Sequence, residues 1–543
     1  MPIRVRSSTL RGPIHDSEGI IMQKTSKIKH VYEHAVLNIC LDTLERKKQA
    51  LVFVNTKSSA EAEAERIAVK LKVDDKDKEA LDELAGKILG VLDKSTKQCQ
   101  RLALCAKKGV AFHHAGLHSQ QRELIEDNFR NGNIKIICAT PTLALGINLP
   151  AFRVIVRDLK RFSSPRGMAW IPVLEFLQFC GRAGRPDFND EYGEAICLAE
   201  TSGEKEKIIR NYIQGEPEQI LSKLAVEPVL RTYVLSLIAT DYASSKKSLM
   251  DFFKKTFYAH QFGDLKELEG IITRILKSLK EWEMITIKED DKNIELEATL
   301  LGQRVSQLYL DPYTAHYLIT CMRRAESKIL KDFSFLQMVS YTLELRPLLN
   351  VKVSEYDDIE EKNNMFSSSI LSMEPSMFEP EYEEYLKSIK TALFFYDWIN
   401  EVDEENLLEK YNIRPGEIRV KLSLADWLLY SCVEISKLIK LHGLIKEFEK
   451  VRMRLTYGAK EELLPLLKLR NIGRIRARKL FNNKIKGIED VKKADLPLLT
   501  QLIGKQVALS IKKQVGEDLR EEKVQVKKGK RKGQTSIAKY DEE

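Results

Sequence analysis

Five short apolar runs alternate with helical stretches in the first 215 residues, and this alternation constrains the fold more than any other feature of the sequence. Strands that are apolar throughout are typical of a parallel sheet covered by helices on both faces. We therefore predict an α/β unit over residues 31–215, preceded by a lead-in or linker over residues 1–30. The predicted strands lie within ALVFVN (50–55), GVAFHHAGL (109–117), IKIICAT (134–140), FRVIVRDL (152–159) and GEAICLAE (193–200).

The sequence after residue 215 differs in character, because helical patterns replace the apolar strand runs. Three helical patterns followed by two strand-like segments, MITIKED and IELEATL, are typical of a winged helix; a helical linker with a hairpin is the alternative. The final residues are charged and punctuated by glycine, which is typical of disorder. The predicted units are a winged helix (216–302), a helical unit broken by a polar loop around 354–380 (303–456), a small helical unit (457–516) and a disordered basic tail (517–543).

The composition indicates a reduced cytoplasmic protein with an anionic partner. The net charge of +9 favours binding to a polyanion such as nucleic acid. Eight cysteines are scattered without a CxxC pair, so we expect neither a disulfide framework nor a zinc site. The sequence has no apolar run of about 18 residues, so we expect no transmembrane helix and no membrane partner.

Two loops at predicted strand ends carry groups that suit a phosphate. In an open α/β sheet, ligands bind beyond the carboxyl ends of the strands. Thr56 opens a helix, where its hydroxyl and the free N–H groups could hold a phosphate or form an ordinary N-cap. The second loop, ATPTLALGINLPA, could contact phosphates or a sugar through Thr140, Thr142, Gly146 and Asn148.

The segment HHAGLHSQQR (113–122) places histidines at a third predicted strand end. A zinc site would need a carboxylate or a cysteine to complete its ligand set, and none is placed for it in the sequence. We therefore expect structural histidines whose hydrogen bonds are satisfied.

The segment QFCGRAGRP (178–186) carries Arg182 and Arg185, with Gly181 and Gly184 beside them. Residues three apart lie one helical turn apart, so we expect both guanidinium groups to face the same way. Guanidinium is always charged and binds oxygens in a fork, which suits a phosphate. A surface helix with ordinary ion pairs is the alternative.

These four segments, in this order and at these spacings, resemble motifs IV, IVa, V and VI of the second RecA-like lobe of Ski-type superfamily-2 helicases. The similarity continues downstream and is greatest to the archaeal fork-repair DNA helicases. In that family the second lobe is followed by a winged helix, a helical ratchet domain and a helix-hairpin-helix domain. The resemblance therefore implies an α/β RecA-like lobe (31–215), a winged helix (216–302), an all-α ratchet bundle (303–456) and a helix-hairpin-helix domain (457–516).

The resemblance also implies roles for the residues of the lobe. Arg182 and Arg185 would reach the γ-phosphate of ATP, where an arginine neutralises the charge that develops during transfer, and Gln178 would sense that phosphate. Gly146, Asn148 and Gly181 would lie at the nucleotide. Thr56, Thr140 and Thr142 would contact the DNA backbone, and Gly146 would help to couple it to the nucleotide.

Three further segments are expected to bind DNA by the same resemblance. A hairpin within residues 157–176 would split the duplex, with Phe162 and Trp170 as candidates to stack on the last base pair; packing of Trp170 against the lobe is the alternative. The segment GEIRVKLSLADWLLYS resembles the ratchet helix, in which Trp427 would stack on a base. The family presents an arginine where this chain has Val420, so Arg419 or Lys421 would replace it; a core position for Trp427 is the alternative.

The segment LPLLKLRNIGRIRARKLFNNKIKGIEDV (464–491) has the pattern of a helix-hairpin-helix. Gly473 would form its turn, and the N–H groups of the next helix would meet a phosphate. Arg474 and Arg476 would add charge. A solvated basic helix is the alternative.

The family's first lobe supplies a phosphate-binding GxxxxGK[ST] loop and an acidic pair for Mg²⁺, and neither is found in this sequence. We therefore expect the second part of an ATP-dependent 3′–5′ DNA helicase that is inactive alone. It would share ATP and Mg²⁺ with a first lobe supplied by a separate subunit or by a longer chain. The alternatives are an ATPase-inactive DNA-binding remnant that regulates a complete paralogue, and an RNA helicase of the same branch.

The tail contains Gln534, Ile537 and Tyr540 at a spacing that resembles a sliding-clamp-binding peptide. Such a peptide inserts an aliphatic and an aromatic anchor into a pocket of the clamp. A solvated tail is the alternative, because Asp541 stands where a second aromatic residue is usual.

Overall fold

The computed structural model separates the chain into two compact units, each with its own core. One unit comprises Met1–Leu221 and Leu408–Val420, and the other comprises Ser222–Leu407 and Lys421–Glu543. The structure describes residues 2–8, 28–92, 95–144, 147–163, 167–185, 190, 192–224, 226–263, 265–290 and 293–516.

The first unit is built on a six-stranded sheet. Five of its strands are parallel, and the sixth, an edge strand, is antiparallel to its neighbour. The sheet order is β1-β8-β5-β2-β4-β3. The strands are β1 (Pro2–Ser8), β2 (Ala50–Phe53), β3 (Val110–His113), β4 (Ile136–Ala139), β5 (Arg153–Val156) and β8 (Tyr192–Leu198).

The five predicted strands are all present, each shorter than its apolar run. The strand β1 was not predicted, because residues 1–30 were interpreted as a lead-in. Its backbone pairs with β8 from Pro2 opposite Leu198 to Ser8 opposite Tyr192. Ile3 and Val5 alternate with Arg4 and Arg6, but this pattern is too short to indicate a strand by itself, so the pairing with β8 defines it.

Helices cover the sheet on both sides, and β2, β3, β4 and β5 are buried along their full length. Phe53 on β2 stacks on Phe179 with 4.4 Å between the ring centroids, which fixes the helix that carries Phe179 against the core. The helices are α1 (Ala35–Glu45), α2 (Lys57–Lys70), α3 (Asp75–Gly90), α4 (Lys97–Ala106), α5 (Ser119–Arg130), α6 (Val173–Cys180) and α7 (Ser202–Ile208).

An antiparallel hairpin leaves the sheet between β5 and α6, as the resemblance implies. It consists of β6 (Lys160–Ser163) and β7 (Gly167–Trp170), with Phe162 opposite Met168.

The second unit begins with helices and a two-stranded antiparallel ribbon. Four helices precede the ribbon rather than the three predicted, because the pattern after residue 245 breaks into two short helices at Thr256, which caps the second of them. These elements are α8 (Glu227–Ala239), α9 (Lys246–Phe253), α10 (Phe257–Phe262), α11 (Lys266–Glu281), β9 (Ile285–Asp290) and β10 (Asn293–Ala298).

The remainder of the second unit is helical. The predicted polar loop around 354–380 contains a helix, α15, whose Ile359 and Phe366 are buried. The helices are α12 (Leu300–Gln307), α13 (Pro312–Ala325), α14 (Asp332–Ser340), α15 (Tyr356–Phe366), α16 (Glu381–Ile399), α17 (Glu404–Tyr411), α18 (Pro415–Leu438), α19 (His442–Tyr457), α20 (Leu464–Leu467), α21 (Arg474–Asn482), α22 (Ile488–Lys493), α23 (Leu496–Ile503) and α24 (Lys505–Gln514). Residues 408–420, which contain the end of α17 and the start of α18, belong to the first unit.

Residues 459–511 contain a separate small core, formed by the helices α20 to α24. None of the helices in the described ranges is both long and apolar enough to cross a bilayer.

Candidate functional site

The two arginines of QFCGRAGRP do not face the same way. The helix α6 ends at Cys180, and Gly184 has a φ of +102°, so the arginines lie in a loop rather than on one helical turn. The loop is held to the start of β5, because Gly184 N–H donates to the Ala151 carbonyl (2.7 Å) and Ala151 N–H donates to the Arg182 carbonyl (2.9 Å). The prediction of a shared helical face is therefore wrong, since glycine at 184 redirects the chain.

Arg185 is buried in an ion-pair network. Its side chain is only 6% exposed, and its Nε–H donates to Asp190 Oδ2 (2.9 Å). Its Nη1 donates to Gln49, and Lys48 also donates to Asp190. Burial alone would raise the pKa of the Asp190 carboxyl, but the hydrogen bonds from Arg185 and Lys48 hold that pKa below its usual value. The structure therefore places Arg185 as a support of the loop.

Arg182 is half-buried and reaches the other loop that the sequence predicted at this edge. Its guanidinium donates to the Ala144 carbonyl, directly after a short 3₁₀ turn at Pro141–Leu143. Gln178 on α6 is also half-buried, whereas Gly181 and Asn148 are exposed. The predicted nucleotide residue Gly146 lies outside the described residues.

The two threonines of the same loop lie at the carboxyl end of β4. Thr140 is buried, and its hydroxyl lies 3.0 Å from the hydroxyl of Thr142, which is exposed. Thr56 forms the ordinary N-cap of α2, since its Oγ1 accepts from Ser59 N–H at 3.0 Å. Of these three hydroxyl groups, Thr142 is the one presented to solvent without a helix-capping role.

His113, the last residue of β3, and His114 are buried, and the Nε2 of each lies beside a carboxylate. This agrees with the structural role expected from the sequence, except that the buried Nδ1 of His113 has no hydrogen-bond partner among the described residues. His113 Nε2 lies 2.8 Å from Glu126 Oε1. His114 Nδ1 accepts from Gly116 N–H (3.1 Å), so its Nε2 carries the proton and donates to Glu61 Oε1 (3.1 Å). Burial lowers the pKa of His114, which is consistent with this neutral tautomer. The described part of the chain brings together no group of three His, Cys, Asp or Glu side chains suited to a metal ion.

Glu61 is the centre of a cluster that sequence reasoning missed. It accepts from Gln98 (2.8 Å), Arg101 (2.7 Å) and Arg414 (3.3 Å) in addition to His114. Although burial acts to raise it, the hydrogen bonds from His114 and Gln98 and the charge of Arg414 lower the pKa of Glu61 to about 2. Arg414 lies 353 residues along the chain from Glu61, so no local pattern could have indicated this contact.

The segment around Arg414 also contacts the lobe through its backbone. Gly416 N–H donates to the Gly116 carbonyl at 3.0 Å. A Cβ added at Gly416 would lie 2.2 Å from the Ala115 carbonyl oxygen, so the close approach requires glycine at this position. Residues 408–420 are therefore fixed directly against the loop of the buried histidines.

The hairpin presents one of its two candidate aromatic residues to solvent. Phe162 is 74% exposed. Trp170 is half-buried and packs against Tyr212, with 5.9 Å between the ring centroids, and Lys160 lies over its ring. The structure thus favours Phe162 as the exposed candidate and agrees with the alternative considered for Trp170.

On α18 the candidate ratchet residues have different surroundings. Arg419 is exposed, and its charge helps burial to lower the pKa of His118. Val420 is 60% exposed, whereas Lys421 is buried and donates to the Pro347 carbonyl, so Lys421 does not replace the arginine that the resemblance implies. Trp427 is half-buried, and its indole N–H donates to the Leu308 carbonyl at 3.2 Å.

The small helical unit presents only part of its predicted basic surface. Gly473 precedes α21 as its N-cap residue, and no side chain caps the first N–H groups of that helix. Arg476 is exposed. Arg474, which the sequence predicted to add charge, lies over the Trp398 ring (4.6 Å to the centroid). Arg478 is paired with Glu401 and Glu462.

The proposed clamp-binding residues Gln534, Ile537 and Tyr540 lie outside the described residues. Their prediction rests on the sequence alone.

Two family models match this chain. Residues 79–187 match "Helicase conserved C-terminal domain", and residues 333–458 match "Archaeal helicase, domain 4". The first match includes the loops at the carboxyl edge of the sheet and Arg182 and Arg185, so the fold and the site define the class: an archaeal-type helicase with its conserved C-terminal lobe. The second match covers the helical region that contains α18.

Comparison with individual proteins identifies the particular family. The chain is 37% identical over 519 residues to the ATP-dependent DNA helicase Hel308 of Methanocella arvoryzae, covering 94% of this chain and 69% of that protein. It is 39% identical over 487 residues to the protein of the same name from Pyrococcus horikoshii, covering 88% and 66%. The match to the Methanococcus vannielii protein is 37% identical and covers 86% and 65%. The chain belongs to the Hel308 family, and it spans about two-thirds of the length of these relatives.

Proposed function

We propose that this chain forms the second RecA-like lobe and the DNA-binding part of an ATP-dependent DNA helicase, which moves 3′ to 5′ on single-stranded DNA and unwinds forked duplexes. The observation that carries the proposal is the position of Arg182. Its guanidinium lies at the carboxyl edge of the sheet, against the loop that contains Thr142, and that edge is where open α/β sheets bind ligands. The relatives are named ATP-dependent DNA helicases, which supports ATP-driven unwinding of DNA as the proposed reaction.

On the nucleotide side, Arg182 would bind the γ-phosphate of ATP and stabilise the charge that develops there. Gln178 lies on α6 and Asn148 lies in the loop that contains Thr142, and both would add uncharged hydrogen-bond donors. These residues fit the terminal phosphate but supply no loop for the other phosphates and no carboxylate for Mg²⁺. The proposal assigns those parts to a first lobe, present either in a longer form of the chain or on a separate subunit.

Arg185 has a positioning role in this proposal. Its ion pair with Asp190 holds the loop that follows Arg182, and its buried guanidinium is already bound on two sides. Loss of Arg185 would therefore displace the loop, whereas loss of Arg182 would remove the phosphate contact itself.

On the DNA side, three parts of the chain would meet the nucleic acid. Phe162 at the hairpin would stack on the last base pair of the duplex, and Trp427 on α18 would stack on a base of the single strand. Gly473 and Arg476 at the start of α21 would bind backbone phosphates. The winged-helix and helix-hairpin-helix assignments remain part of this proposal.

The test begins with the native protein, isolated from its own cells with nuclease and weighed as an intact chain and as a complex. We expect a polypeptide with a GxxxxGK[ST] loop, either as a longer form of this chain or as a stoichiometric partner. That assembly should hydrolyse ATP when forked DNA is added. Arg182→Ala should reduce hydrolysis by about 10³-fold or more, while single-stranded DNA binding is retained.

Arg210→Ala provides the matched control, because Arg210 is an exposed arginine of the same unit. It should leave ATP hydrolysis unchanged. If the 543-residue chain is isolated alone and hydrolyses no ATP, the proposal fails. DNA binding by that chain would then indicate a regulator without ATPase activity.

A further inference from the structure

The C-cap residue of α12, Leu308, is followed by a tyrosine where glycine is usual. Tyr309 N–H donates to the Ser306 carbonyl (3.0 Å) and Leu310 N–H donates to the Val305 carbonyl (3.3 Å), which is the hydrogen-bond pattern of a Schellman motif. In this motif the residue after the C-cap adopts a left-handed conformation, and Tyr309 has a φ of +56°. A side chain with a Cβ is strained in that conformation, by about 1 kcal/mol or more.

The tyrosine ring gains no burial in return for this strain. Nine residues other than glycine have a positive φ in the described part of the chain, and eight of them are lysine, aspartate, glutamate or asparagine. Such residues are polar and suit an exposed helix end. Tyr309 is the single aromatic residue of the nine, and its side chain is 84% exposed. The packing of the protein thus gives no reason for an aromatic ring at this position.

The position of Tyr309 is fixed beside Trp427. The carbonyl of Leu308, the preceding residue, accepts the hydrogen bond from the Trp427 indole. One turn earlier on α12, Arg304 is paired with Glu434, two turns beyond Trp427 on α18. These two contacts hold the end of α12 against α18, so the exposed tyrosine lies next to the residue that would stack on the single strand.

We propose that Tyr309 is a second base-stacking residue, which binds the single strand beside Trp427. This inference rests on the proposed function, because it takes α18 as the path of the strand. An exposed aromatic ring on a fixed backbone can stack on any base, which suits binding without sequence preference.

The test compares variants of the full chain that separate the ring from the backbone. Tyr309→Gly removes the ring but suits the left-handed conformation, so the melting temperature should stay the same or rise slightly. Its affinity for a dye-labelled oligo(dT) should fall about 5- to 30-fold, the loss of one base–aromatic stack. Tyr309→Phe should bind like the unchanged chain. An oligonucleotide with 2-aminopurine should be quenched less by Tyr309→Gly than by Tyr309→Phe.

Asp241→Gly is the matched control, because Asp241 also has a left-handed backbone at an exposed helix end of the same unit. It should leave DNA affinity unchanged. If Trp427→Ala weakens binding and Tyr309→Gly does not, the inference is overturned while the proposed function stands. If neither variant changes binding although both are folded, the proposed path of the strand along α18 fails as well.

Discussion

Arg182 and Arg185 lie three residues apart in the chain but depend on different surroundings. Arg182 bonds to a single backbone carbonyl and is half-buried, so water can replace its contact. Arg185 lies inside the unit with the fully buried carboxylate of Asp190. Substitution of Arg182 should therefore affect mainly function, whereas substitution of Arg185 should affect mainly stability.

Arg185→Ala should lower the free energy of unfolding of the first unit by about 3 kcal/mol, because it leaves the buried Asp190 with Lys48 as its remaining charged partner. Arg182→Ala should cost about 1 kcal/mol or less, the value of one hydrogen bond. Urea unfolding of both variants measures the difference. Equal destabilisation by the two substitutions would contradict the network seen around Arg185.

Glu61 should give the first unit a distinctive response to acid. Its pKa is lowered from 4.5 to about 2 in the folded chain, so the stability it contributes is complete above pH 4.5 and is lost as the pH falls toward about 2. Glu61→Gln should therefore destabilise the unit strongly at pH 6. The difference in melting temperature between this variant and the unchanged chain should become smaller below pH 4.5. Thermal unfolding at pH 6 and pH 3 measures this difference.

The exposed Glu79 provides the control for the acid response, because Glu79→Gln should have the melting temperature of the unchanged chain at both pH 6 and pH 3. A difference for Glu61→Gln that stays constant from pH 6 to pH 3 would show that the ionised carboxylate is not the source of the stability.

At the level of elements, the hairpin carries two aromatic side chains with different roles: Trp170 packs within the unit, and Phe162 is the proposed DNA contact. Trp170→Ala should lower the free energy of unfolding by about 2 kcal/mol, since the ring packs against Tyr212 but is only half-buried. Phe162→Ala should change stability by less than about 0.5 kcal/mol. In the ATP-hydrolysing form it should slow strand separation on a forked duplex while ATP hydrolysis continues. Strand separation at an unchanged rate would exclude Phe162 as the wedge.

The contact between residues 408–420 and the loop of the buried histidines should be sensitive to a single methyl group. Gly416→Ala would place a Cβ 2.2 Å from one backbone oxygen and 2.6 Å from another, so the segment must move away. We expect a loss of about 1–3 kcal/mol and faster cleavage by protease within 408–420. Gly443→Ala should have neither effect, because a Cβ at Gly443 meets no atom within 4 Å.

The sequence could predict the elements whose cause is local. The buried strands follow from apolar runs, and the structural role of the two buried histidines was also expected, although His113 Nδ1 has no hydrogen-bond partner among the described residues. The hairpin was implied by the resemblance to the helicase family. Contacts between distant residues could not be predicted in the same way. Arg414 reaches Glu61 only because the chain returns to the lobe after the helices of the second unit, and Arg185 turns inward because of Gly184 and Asp190. The edge strand β1 depends on β8, which lies almost 200 residues away.

On the scale of the whole molecule, the net charge of +9 should make DNA binding depend steeply on salt. Arg476→Ala should lower the affinity for a fork and reduce the slope of log affinity against log salt by about one, the loss of one phosphate contact. Arg478→Ala should leave the slope unchanged, because Arg478 is already paired with two glutamates. Titrations at several salt concentrations give both slopes, and equal slopes for the two variants would refute the assignment.

The return of residues 408–420 to the first unit has a consequence for how the protein is made. A ribosome completes residue 221 roughly 10 to 40 s before it reaches residue 408. During that interval the loop at Gly116 lacks its backbone partner, and Glu61 lacks Arg414. These contacts can therefore form only after the helices of the second unit have been synthesised. In a gene divided between these two positions, residues 408–420 would belong to a different polypeptide from the rest of the lobe.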